Sequence, residues 1–142
     1  MFKTRFFIVC FLLFSVTCCF SAELRDSVSL NGTWQFKITR PNPDKEFKPI
    51  KVPGNWELQE FSRPAWAWPK KEAGVYKIQL SIPSKWQNKR IYINFGGIYY
   101  RSKIYIDNKL IGEHESGYNE FEYDITEYVE PGNTYPLKVE VF

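Results

Sequence analysis

The chain has 142 residues, 18% of them aromatic, and a formal charge of +3, which suits one domain with one hydrophobic core. Nineteen basic residues against 16 acidic ones give no reason to expect nucleic acid or an anionic membrane as a partner. The single histidine, and cysteines found only at positions 10, 18 and 19, exclude a metal site of cysteine and histidine beyond the first 20 residues.

The first segment has the layout of a secretory leader. Lys3 and Arg5 precede the unbroken apolar run Phe7 to Phe14, and Cys19 and Ser21 occupy −3 and −1 of a cut after Ser21. The run is too short for a permanent bilayer span. Residues 1–21 are therefore expected to be a signal peptide and 22–142 the mature domain, exported to the periplasm or the exterior. Its charge would fall to +1, because the leader removes Lys3 and Arg5 and no acid. No membrane partner is expected unless Cys18 or Cys19 carries a lipid, and "SVTC" lacks the usual leucine of a lipidation site.

Beyond the leader, apolar residues alternate with polar ones between turn signals, the pattern of half-buried strands. "TWQFKI" puts Trp34, Phe36 and Ile38 on one face. "VYKIQLSI" does the same for Tyr76, Ile78, Leu80 and Ile82, and "RIYINF" for Ile91, Ile93 and Phe95. "KIYID" and "KLIGEHE" flank Asp107-Asn108, a pair that tolerates the left-handed backbone of a tight hairpin. "NEFEYDI" presents Phe121, Tyr123 and Ile125, and "PLKVEVF" presents Leu137, Val139 and Val141. Helical periodicity is confined to one turn in "DITEYVE", with Asp124 or Thr126 as its cap. The expected fold is all-β: an antiparallel β-sandwich of jelly-roll form. Its last strand is still alternating at Phe142, so one or more closing strands are expected to be lacking.

The residues offer little chemistry. His114 lies between Glu113 and Glu115, but strand neighbours point to opposite faces, so the three cannot converge and a solvated strand end is expected. A retaining glycosidase needs two carboxyls about 5 Å apart, one kept protonated. Glu57, Glu60, Glu72, Glu113, Glu120, Glu122 and Asp124 all read instead as surface acids or caps. No catalytic residue, metal site or cofactor is expected.

The aromatics of "VPGNWELQEFSRPAWAWP", residues 52–69, are less easily dismissed, since proline and glycine mark the segment as a loop. Three bare tryptophans there would approach or exceed the apolar patch a monomer ordinarily exposes. Trp56 is expected to pack between the sheets. Trp66 and Trp68, two apart in extended chain, would turn both rings to one side as a stacking platform. With Arg63 they are the candidate surface for a carbohydrate or for a neighbouring domain.

Taken in order, these pieces resemble the N-terminal sugar-binding domain of glycoside hydrolase family 2. The resemblance rests on "LNGTWQFKI", "VPGNWE", "GVYKIQLSIPSKWQNKRIYINFGGI", "KIYIDNKLIGEHESGYNEFEYDIT" and "EPGNTYPLKVEVF", and it is nearest to the β-galactosidase branch. It implies a jelly-roll, galactose-binding-like sandwich whose partners would be an immunoglobulin-like domain and a (β/α)8 barrel, the barrel holding both catalytic glutamates. The domain itself would contribute substrate-side polar residues. One group of these follows "VPGNWE", where "SRPAWAWPKKEAG" stands in place of a longer loop with a "YTN…YP" element and offers no asparagine. The resemblance thus implies an inert domain of a retaining β-glycosidase; the residues alone also allow a free-standing carbohydrate-binding sandwich. A chain lacking its closing strand is expected to be marginally stable or to associate.

Overall fold

The computed structural model describes residues 25–40, 44–59, 61 and 73–142. Eight strands are present among them: β1 (Gly32–Arg40), β2 (Lys48–Val52), β3 (Ala73–Ser81), β4 (Tyr92–Phe95), β5 (Ile98–Ile106), β6 (Lys109–Ser116), β7 (Phe121–Asp124) and β8 (Thr134–Val141). All pairings are antiparallel, as the sequence leads one to expect. Six strands form one sheet in the order β2-β1-β3-β8-β5-β6, and β4 and β7 form a second. The only helical pieces described are 3₁₀ turns at Trp56–Leu58 and Ser84–Trp86, and no described helix could cross a membrane.

The period-two pattern of the sequence sets which side chains go inward. Trp34, Phe36 and Ile38 of β1, Leu80 of β3, Ile104 and Ile106 of β5, and Leu137, Val139 and Val141 of β8 are buried on one face of the large sheet. Removing each such side chain from water contributes about 1.5–3 kcal/mol before the cost of ordering it.

Two separate pieces cover this face. Over β5 and β6 lies the small sheet: the Phe121 ring of β7 stacks on His114 of β6 at 3.8 Å. The Tyr123 hydroxyl donates to the carbonyl oxygen of Glu113 at 2.8 Å. Over β1 and β3 lies the segment after β2, where Trp56 and Phe61 sit on Phe36 with centroids 5.2 and 4.6 Å away.

Turn chemistry fixes the register. Asp107 and Asn108 have φ of 47° and 64°, the left-handed pair required by the β5–β6 hairpin. At the end of β7, Asp124 Oδ1 accepts from the Thr126 N–H at 3.0 Å and its hydroxyl at 2.6 Å, capping the turn that "DITEYVE" suggests. Strand β2 has no counterpart in the sequence reading. Only Ile50 of its five residues is buried, and Pro49 is tolerated because β2 is a sheet edge.

Candidate functional site

The first half of the 52–69 stretch is a structural brace. Asn55 Oδ1 accepts from the Glu57 N–H at 2.9 Å and so caps the turn holding Trp56. Gln59 ties this turn to β2, accepting from the Lys51 N–H at 2.9 Å and donating to the Lys51 carbonyl at 3.1 Å. Trp56 thereby stacks on Tyr76 as well as Phe36, with the Tyr76 ring 6.3 Å away. Burial pushes the Tyr76 hydroxyl pKa up. Trp56 packs within the sandwich, as the sequence reading has it.

The second half carries the candidate residues Arg63, Trp66 and Trp68, which lie outside the described residues. What is described is where that segment leaves and returns: Phe61 and Ala73 are both buried. Ala73 opens β3 at one particular end of the large sheet. Gly74 is in register with Val141, Val141 with Ser102, and Ser102 with His114. The start of β3, the end of β8, the start of β5 and the end of β6 therefore share that end.

The described carboxylates are engaged in ion pairs and hydrogen bonds. Glu113 pairs with Lys103 at 2.8 Å and Glu115 with Arg101 at 3.0 Å, across the outer face of β5 and β6. These four residues, with His114 and Phe142, line an open groove of about 340 Å³. Glu120 accepts from the Asn94 side-chain amide at 2.6 Å. Asp124 is held below the usual carboxylate range by the Thr126 hydroxyl and N–H, helped by Arg90 at 2.8 Å. Glu60 and Glu72 lie outside the described residues. Among the described residues no group of three histidine, cysteine, aspartate or glutamate side chains could hold a metal.

His114 departs from the expected solvated strand end. Its ring is half-buried and stacked within 16° of parallel on Phe121, and its Nε2 is buried without a protein partner. Its register neighbour Ser102 is fully buried, and the Ser102 hydroxyl also lacks a partner. The reason is parity: Gly112 and His114 share the face that β7 covers, while Glu113 and Glu115 project to solvent.

An aromatic group absent from the sequence reading stands at the end of the sheet just defined. Tyr99, Tyr100 and Tyr118 are 70%, 46% and 89% exposed. The Tyr99 ring lies 5.8 Å from Tyr100 and 6.0 Å from Tyr118. Ile98 pairs with Ser116 and Arg101 with Glu115, so Tyr99 and Tyr100 are the extra residues of a bulge in β5. Gly117 makes room: a Cβ there would fall 2.3 Å from Tyr99 Cδ2. The doublet "YY" behind "FGGI" and the "GY" at 117–118 were the available signs. Period-two reading loses them because a bulge breaks the alternation.

Residues 27–142 match the family model described as "Glycosyl hydrolases family 2, sugar binding domain". A β-glucuronidase of Bacteroides fragilis is 30% identical over 121 residues, which are 85% of this chain and 17% of that protein. A β-galactosidase of Thermoanaerobacter pseudethanolicus is 38% identical over 58 residues, 41% of this chain and 8% of that protein. Among solved structures, a Faecalibacterium prausnitzii β-glucuronidase superposes with a TM-score of 0.69 at 27% identity, over 80% of this chain and 20% of that one. The chain thus spans less than a fifth of the length of these two curated relatives.

Proposed function

Since the chain belongs to the glycoside hydrolase family 2 sugar-binding domain family, we propose that it is the exported, non-catalytic, carbohydrate-facing domain of a retaining β-glycosidase. The observation that carries this reading is the family match over 27–142, joined to the small share of each relative that the chain spans. In this reading the two carboxylates of the reaction belong to a (β/α)8 barrel elsewhere in such an enzyme, with an immunoglobulin-like domain between. The parent substrate class is a terminal β-glycoside. The relatives are named for both galactosides and glucuronides, so the reading stops at that class. Arg63, Trp66 and Trp68 face the sugar or the barrel. The leader, residues 1–21, directs export to the periplasm or exterior.

Affinity electrophoresis of the purified chain in gels cast with a neutral β-galactan tests the reading. Retardation that weakens in Trp66→Ala and Trp68→Ala is expected; migration equal to that in a gel without polysaccharide overturns it. Export is checked by fractionating cells that express the chain. Recovery of the intact, unprocessed chain in the cytoplasm would remove that part.

A second reading, a free-standing carbohydrate-binding sandwich, is favoured by the described carboxylates being engaged as ion pairs and caps. The gene downstream of the Phe142 codon separates the two. An in-frame barrel-coding sequence supports the first, and a terminator with unrelated genes supports the second.

A further inference from the structure

We infer that Tyr99, Tyr100 and Tyr118 form a second carbohydrate platform, built to stack on neutral sugars. It takes the ligand class from the proposed function but involves residues which that reading does not use.

The platform is constructed. A two-residue bulge turns both tyrosines of β5 out of the sandwich, as bulges beside binding sites do. Gly117, in the bend just after β6, lacks the side chain that would occupy the seat of the Tyr99 ring. Tyr118 follows it directly and stands almost wholly in solvent.

Size and chemistry point to a sugar. At these exposures the three tyrosines present about 400 Å² in all. That is half of the roughly 800 Å² a stable protein interface takes from each partner, and it is ample for the faces of a few pyranose rings. Tyrosine offers an apolar ring for sugar C–H faces and a wet hydroxyl for their hydroxyl groups. The cations beside the patch are already engaged, Arg101 by Glu115 and Lys103 by Glu113. Each pair is neutral overall, so these cations present no net positive charge to draw a uronate or sulfate, and a neutral glycan is favoured.

Position adds to this. Tyr99 and Tyr100 open β5 at the sheet end where β3 begins at Ala73, with β8 between them. Two strand spacings, roughly 10 Å, separate the platform from the root of the 62–72 segment.

The test uses the whole chain in affinity gels cast with neutral β-galactan or with polygalacturonate. Retardation by the galactan and not by the polygalacturonate is expected. Tyr99→Ala and Tyr118→Ala should each weaken galactan binding about three- to tenfold, the worth of one aromatic contact. Tyr99→Phe should keep most of it, and Tyr128→Ala, an exposed tyrosine beyond β7, should keep all of it. Tyr118 is exposed enough that its removal leaves the fold intact, which an unchanged melting temperature would verify. If the tyrosine variants bind like the parent while Trp66→Ala and Trp68→Ala do not, the platform is refuted and the carbohydrate function stands. If the parent is retarded by neither gel, both fall. If the parent self-associates and Tyr118→Ala is monomeric, the patch is a protein interface and the inference is wrong.

Discussion

Two glycines show how closely this sandwich is packed. A Cβ on Gly74 would lie 2.4 Å from Phe36 Cε2 and 2.7 Å from Trp56 Cζ3, both in the cluster that closes β1 and β3. Phe36 is fully buried and cannot yield, so Gly74→Ala should cost about 1–3 kcal/mol, the usual penalty for overpacking a core. Gly112→Ala would meet the Tyr123 ring at 2.2 Å, but that ring is only half-buried and can tilt, so its cost should be smaller. Urea unfolding of the two variants checks the ranking, and equal midpoints would contradict it. Asp124 supplies a pH dependence with a definite sign. Its pKa is lowered in the folded chain by Thr126 and Arg90. Its contribution is therefore complete above the ordinary aspartate value, about 3.9, and is lost as the pH falls through the lower folded value. Asp124→Asn can still cap the turn but cannot titrate. Its melting temperature should fall less steeply than the parent's on acidification below about pH 4; parallel acid limbs would show that Asp124 does not contribute.

At the scale of elements, the β5–β6 hairpin is governed by two residues of positive φ, Asp107 and Asn108. Replacing Asn108 with alanine keeps a Cβ in the left-handed region but removes the short polar side chain that eases it there, at a cost of about 1 kcal/mol, whereas Asn108→Gly should be neutral or stabilising. Thermal melts of both check this, and an alanine variant as stable as the glycine one would refute the turn assignment. This hairpin was legible in the sequence because its determinants are local: an Asp-Asn pair between two alternating runs. The same holds for the inward residues of β1, β3, β4, β7 and β8, since period-two burial needs only a covered face. Strand β2 was not legible. It buries one side chain, and its place at the edge follows from β1 already being paired with β3. Nor was the half-buried state of His114, which comes from β7 crossing β6 after a turn no local pattern specifies. The tyrosine platform escaped for a related reason, because a register slip between two strands is a property of the pair. In the 52–69 stretch, the bracing role of Trp56 could be read from its neighbours. Arg63, Trp66 and Trp68 lie outside the described residues.

For the molecule as a whole, chemistry and recognition are separable. A retaining hydrolysis needs one carboxyl ionised to attack and a second, about 5 Å away, kept protonated to release the leaving group. Keeping it protonated takes burial or a neighbouring negative charge. At the end of the sheet that bears the tyrosines, the acids are not buried. Glu113 and Glu115 are exposed and each lies against a cation, and at the far side Asp124 is driven further toward the ionised form. A sugar on this surface would meet stacked rings and neutralised charges. The purified chain should therefore retain a neutral glycan yet leave p-nitrophenyl β-galactoside and p-nitrophenyl β-glucuronide intact at any pH from acidic to neutral. Turnover that copurifies with the chain and disappears in Glu113→Gln or Glu115→Gln would mean that one of these ion pairs opens to supply an acid. It would also move the catalytic centre into this domain, against the assignment of that role to a separate barrel.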